Sequence, residues 1–166
     1  MDHKMIQVEN QMTVAMNVNG TFSMQNGASV NWVALAQPPY SFDNFTIGTA
    51  GLVATRQASS NATYILAKDP KTGQFQNTWS LLAIPYCVEM ATNGMVCACL
   101  GDDGSIYTCG YNLQVPTART NVPHLANASA LAINAYGLYA NSNNCTYMAP
   151  NAGPSGTYGA WVLCKP

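Results

Sequence analysis

The chain has 166 residues, 48% of them hydrophobic and only 8% charged, with a formal net charge of −1. So few charges exclude a bundle of long helices with solvated charged faces. Six Lys and Arg scattered without a basic stripe leave little electrostatic drive toward a nucleic-acid backbone. At this length a core can form without a metal or disulfide staple.

Read in chain order, the sequence says nearly the same thing four times. Asn19-Gly20-Thr21-Phe22, Asn61-Ala62-Thr63-Tyr64, Gly104-Ser105-Ile106-Tyr107 and Asn144-Cys145-Thr146-Tyr147 each read turn residue, small residue, Thr or Ile, aromatic; the aromatics fall 42, 43 and 40 residues apart. Other landmarks keep the beat: Gly51, Gly94 and Gly137 recur at intervals of 43, as do Ile47, Met90 and Ile133, with Val8 as the first member. Trp32, Trp79 and Trp161 each precede an apolar run and a Pro, while the third unit has no Trp. A fixed period of this length marks a repeat architecture.

Each unit parses into four strands bounded by turn residues. In the second they run about Phe45 to Thr49, Leu52 to Gln57, Thr63 to Lys68 and Thr78 to Ala83. Asp102-Asp103-Gly104 is a hairpin turn, since Asp tolerates the left-handed region and Gly occupies it freely. Four units of four antiparallel strands predict an all-β fold, a small four-bladed β-propeller. It forms one domain, 1–166, with repeats over about 3–40, 41–86, 87–126 and 127–166. A β-trefoil, built from three units of similar length, is the alternative. If each unit runs from an innermost to an outermost strand, the first and last blades share none. Ring closure then falls to side-chain packing, a disulfide or a different register.

A hairpin centred on Asp103 sets Cys97 opposite Cys109, close enough for a disulfide; Cys87, Cys145 and Cys164 find no partner from sequence. Cys97-x-Cys99 is too tight for zinc, so no metal site and no cofactor are expected. Asn19, Asn44, Asn61, Asn127 and Asn144 fit the N-glycosylation pattern. Three of them recur at the turn between second and third strands, where turn chemistry itself prefers Asn.

The run Phe45-Thr46-Ile47-Gly48, Gly51-Leu52-Val53-Ala54, Thr63-Tyr64-Ile65, Gly73 and Trp79-Ser80-Leu81-Leu82 resembles the tectonin repeat of tachylectin-2-like β-propeller lectins. Val88 to Tyr107 matches in part, and the fourth unit keeps Gly137, Tyr147 and Trp161. The resemblance implies a lectin with repeated weak sugar sites and glycans or glycoproteins as partners. Sugars are gripped by polar side chains over an aromatic face. In a propeller the turns between second and third strands share one face with the linkers between blades. Asn19, Asn61, Asp103 and Asn144 would therefore ring that face with Tyr40, Tyr86 and His124, which follow Pro39, Pro85 and Pro123. Several weak sites on a rigid ring gain avidity together.

Catalysis has little raw material, with two histidines and no carboxylate pair suited to sit across a cleft; no enzyme is expected. The alternative function is a structural or protein-interaction module, such as a virion or cell-surface component, with a protein partner or self-assembly. No apolar run is long enough to span a membrane and no signal-peptide pattern opens the sequence. That reads as a cytoplasmic or virion-associated protein, or a mature secreted chain.

Overall fold

The computed structural model describes residues 2–9, 11–57, 62–110, 117–119, 122–152 and 158–164. Among these residues sixteen strands form four separate four-stranded antiparallel sheets, each taken in sequence order. Blade 1 holds β1 (His3–Glu9), β2 (Met12–Asn17), β3 (Phe22–Asn26) and β4 (Val33–Ala34). Blade 2 holds β5 (Asn44–Gly48), β6 (Gly51–Arg56), β7 (Ala62–Ala67) and β8 (Ser80–Leu82). Blade 3 holds β9 (Cys87–Thr92), β10 (Val96–Gly101), β11 (Ile106–Gly110) and β12 (Thr117–Arg119). Blade 4 holds β13 (Ala128–Ile133), β14 (Gly137–Ser142), β15 (Cys145–Pro150) and β16 (Val162–Leu163). This is the four-bladed β-propeller that the repeat predicts, and each strand of blade 2 lies within two residues or so of its expected ends.

Turn chemistry repeats between blades. At the β9–β10 turn the side-chain oxygen of Asn93 accepts hydrogen bonds from the amides of Met95 and Val96 at 3.0 and 2.9 Å. At the β13–β14 turn Asn134 does the same for Tyr136 and Gly137 at 2.8 and 3.2 Å. Such side-chain caps let a short polar residue close a hairpin. The pairs spanning each first hairpin are Val8–Thr13, Ile47–Leu52, Thr92–Cys97 and Ile133–Leu138. The third unit thus departs from the expected beat: Thr92, not Met90, is the counterpart of Ile47. The cause is Gly94, which sits inside its turn at φ 87°, whereas Gly51 opens β6 at φ 141°.

The core lies between blades rather than around a centre. Blades 1 and 2 enclose Val14, Met16, Phe22, Phe45, Ile47 and Leu52. Phe22 meets Phe45 edge-on at 5.3 Å and lies 5.4 Å from Trp79, which contacts Phe42 at 5.1 Å. Trp79 and Trp161 also donate through Nε1 to the linker carbonyls of Ala36 (3.0 Å) and Pro123 (2.7 Å), pinning the outer strand of a blade to the linker that precedes it. Both are packing residues, with the polar end satisfied as a buried indole requires.

Blades 2 and 3 enclose Val53, Ile65 and Leu82 with Cys87, Cys97, Cys99 and Cys109. Cys97 and Cys109 face each other in the β10–β11 register as the hairpin symmetry requires, the pairing that would permit a disulfide. Both are buried free thiols, packed as small apolar groups. A hydrogen bond to Cys97, with burial behind it, pushes the Cys109 thiol well above its ordinary value. A hydrogen bond to Cys87 does the same for Cys99. Sulfurs held as thiols in this way are poor nucleophiles.

Inner strands pack in succession, β1 on β5, β5 on β9 and β9 on β13. Among the described residues β1 and β13 make no comparable contact, so the first and last blades are not packed together as their neighbours are.

Candidate functional site

Turns between second and third strands lie beside linker residues in three of the blades. The β2–β3 turn lies against the linker at Ser41, whose Oγ is 3.1 Å from where a Cβ on Gly20 would stand. The Asp102 amide donates to the Tyr86 carbonyl at 2.9 Å, and Asn127 Nδ2 donates to Asn143 Oδ1 at 3.3 Å. Tyr40 is exposed, lies 5.8 Å from Tyr64 and carries the Arg56 guanidinium 4.0 Å from its ring centroid. His124 is exposed, Asn144 sits in its turn at φ 63°, and Asn61 lies outside the described residues.

Two of the turn residues expected to grip a sugar, Asn19 and Asp103, have their oxygens engaged locally. Asn19 Oδ1 accepts from the Thr21 amide at 3.1 Å and from the Thr21 hydroxyl at 2.7 Å. Asp103 accepts from the Ser105 amide at 2.9 Å through one oxygen and from the Tyr107 hydroxyl at 2.6 Å through the other. Burial pushes the Asp103 carboxyl up, and these hydrogen bonds outweigh it, leaving its pKa below the usual value; the same bond raises that of Tyr107. Stability drawn from a lowered carboxylate pKa is present above the usual carboxylate value and lost as pH falls through the native one. Tyr107→Phe is expected to move the Asp103 pKa upward in a carboxyl NMR titration and to narrow that window of acid sensitivity. An unmoved titration would show that the phenol does not hold the carboxylate.

The opposite face carries a concavity that sequence reading missed. A cleft of about 240 Å³ between blades 1 and 2 is lined by Glu9, Met12, Met24, Thr49, Lys68 and Phe75 among others. It shares Met24, Asn26, Gly73 and Phe75 with a second of about 470 Å³, which runs past Val33 and Leu35. Together they make one groove along β4, the outermost strand of blade 1.

The far wall is the connection from β7 to β8. It is twelve residues long, 68–79, where the matching connection in blade 1 has six, 27–32. It folds back on itself: Asp69 Oδ1 accepts from the Lys71 and Thr72 amides at 2.7 and 3.0 Å, and Lys68 bridges to Phe75. The Lys68 ammonium lies 5.0 Å from the Phe75 ring centroid. Burial lowers its pKa, with the Glu9 carboxylate pulling the other way. The groove is therefore mainly neutral, a thioether and aromatic surface with one acid and one base at its inner end. The sequence signal was the extra length of the second repeat.

Among the described residues no group of His, Cys, Asp or Glu is arranged to hold a metal ion. No helix there is long and apolar enough to cross a membrane.

Fold and groove together define a β-propeller with an inter-blade cleft. The chain is similar to yeast RCC1 (Prp20) as seen bound to Kap60, with 13% identity, a TM-score of 0.64, and 98% of this chain matched to 48% of that one. Human WBSCR16 matches at 12% identity and a TM-score of 0.65, over 99% of this chain and 53% of its own. A second structure of Prp20p from Saccharomyces cerevisiae matches at 12% and 0.65, over 98% and 50%. The chain thus spans about half the length of these RCC1-like propellers, and identity this low establishes the fold alone. No protein-family model and no curated protein matches the sequence. The tectonin resemblance holds at the level of the β-propeller, and the neighbours are of RCC1 type.

Proposed function

We propose that the chain is a non-catalytic protein-interaction module that takes an extended segment of a partner protein in the groove between blades 1 and 2. The observation that carries this is the groove itself. Its floor is an outermost strand with no fifth strand beside it among the described residues, and its walls present Met12, Met24, Leu35 and Phe75. An unpaired strand edge beside apolar pockets favours strand addition, in which backbone hydrogen bonds supply affinity and alternate side chains supply specificity. Methionines suit such a surface because they repack around different side chains. The neighbouring propeller Prp20 points the same way: one structure shows it bound to Kap60, and the other is described with its binding to Gsp1p and histones.

The glycan reading draws less support, because Asn19 and Asp103 already use the oxygens that would bind hydroxyls.

Selection from a displayed random-peptide library on the immobilised protein tests the proposal. Enriched peptides should carry apolar residues at alternate positions and lose at least tenfold in affinity on the variant Phe75→Ser. No enrichment, or peptides indifferent to that substitution, would remove the groove as the binding surface.

A further inference from the structure

We infer that the inner end of the groove is an anchor pocket for a tyrosine side chain of the partner segment, its ring held by Met12, Met24 and Phe75 and its hydroxyl by Glu9 and Lys68. This rests on the groove being the binding surface, and goes beyond that reading by naming the side chain that selects a partner.

The pocket is closed at its inner end by a turn of blade 3. The Thr49 amide donates to the Gly94 carbonyl at 2.6 Å, which holds the β5–β6 turn against the β9–β10 turn. Gly48 leaves room for that approach: a Cβ there would stand 3.3 Å from the Gly94 carbonyl oxygen and 3.2 Å from Cys97 Sγ. Glu9 reaches the same place from blade 1, its carboxylate lying where a Cβ on Gly94 would fall. A closed end stops a backbone from passing and leaves space for the tip of a side chain.

Size and lining decide the body of that side chain. The space is about 240 Å³, whereas an apolar cavity of about 150 Å³ already takes a benzene ring. Two thioethers and a phenyl ring line it, and both kinds of group pack favourably on another aromatic ring. Met12, Met24 and Phe75 are only partly buried against the core of blades 1 and 2, so a ring laid on them completes their burial.

Charge decides the tip. Glu9 lies close enough for its carboxylate to act on the Lys68 ammonium. A cationic side chain would be drawn to Glu9 and repelled by Lys68, and an acidic one would meet the reverse. A wholly apolar ring would cover both charges and offer neither a hydrogen bond, which costs free energy. A phenolic hydroxyl is neutral, donates to the carboxylate and accepts from the ammonium, whereas an indole N–H only donates. The same pairing already occurs on this chain, where the Tyr107 hydroxyl donates to Asp103 at 2.6 Å.

Methionine-methyl NMR on the full chain tests this, with N-acetyltyrosinamide and N-acetylphenylalaninamide as the probes. The tyrosine probe should shift the Met12 and Met24 methyls saturably and leave Met148 of blade 4 unmoved. The phenylalanine probe should need at least about tenfold more, the factor that a hydrogen bond to a charged group commands. Glu9→Leu removes the acceptor at a half-buried position and should erase that difference, with the unchanged Met148 signal reporting an intact fold. Equal affinity of the two probes, no shift from either, or a tyrosine advantage that survives Glu9→Leu would overturn the inference. The peptide selection separates it from the reading beneath it. Peptides that need Phe75 but carry no tyrosine would keep the groove and remove the anchor pocket. A tyrosine probe that fills the pocket while no peptide is enriched would do the opposite.

Discussion

Phe22→Ala is expected to destabilise the protein by about 4 kcal/mol, the middle of the range for emptying an aromatic site in a packed core. Phe22 is 1% exposed and its ring touches Phe42, Phe45 and Trp79 at centroid distances of 6.1, 5.3 and 5.4 Å. These partners come from blade 2 and from the linker that leads into it, so the ring is the main tie across the first inter-blade core. Removing it leaves a cavity that neighbours on two separate sheets cannot both collapse into. Urea denaturation monitored by tryptophan fluorescence would report the loss, because Trp79 lines the same cavity. Phe22→Leu should recover more than half of it by restoring most of the volume. A loss under about 1 kcal/mol for the alanine variant would mean that the inter-blade core is not packed as described.

Gly51→Ala is the second large effect, expected at roughly 3 kcal/mol or more. Two costs add there. Gly51 sits at φ 141°, which a residue with a Cβ adopts only with strain of about 1 to 3 kcal/mol. A Cβ would also press on the backbone of the paired strand, against the Leu66 carbonyl oxygen and the Ala67 Cα, where overpacking costs about 1 to 3 kcal/mol. Gly73→Ala is the control. It too has a positive φ, 69°, but nothing lies within 4 Å of its added Cβ, so only the left-handed cost of about 1 to 2 kcal/mol applies. Thermal melts of the two variants should rank in that order. Equal losses would mean that the close approach of β6 and β7 at Gly51 plays no part.

Both effects fall on residues that the repeat had already marked. Phe22 is the first aromatic of the four, and Gly51 opens the second strand of its unit, so the beat in the sequence tracks the packing that holds the blades. The strands of blade 2 were legible almost to the residue because Gly and Asn bracket β-branched, alternating runs there. Blade 3 was less so. Its Gly94 has the spacing of Gly51 without its role, and only the pairing of Thr92 with Cys97 reveals the two-residue slip.

That turns between second and third strands lie beside linkers, as Asp102 does beside Tyr86, follows from strand direction alone. What did not follow is where their polar atoms point. The same Asn and Asp that suit sugar recognition suit turn closure, and Asn19 and Asp103 close their turns. The groove was hidden for another reason. Met24 and Phe75 are far apart in sequence and belong to different blades, so no local pattern joins them. Only the added length of the 68–79 connection signalled that blade 2 reaches toward blade 1.

Amide hydrogen exchange, read by mass spectrometry with and without a selected peptide, tests most directly whether this propeller works as a protein-binding module through its inter-blade groove. Slowed exchange at 24–36 and 68–77, with 17–21, 40–43 and 101–107 unchanged, is the predicted result. Protection confined to the turn-and-linker face instead would contradict the account and return the binding surface to Tyr40, Tyr86 and Asp103.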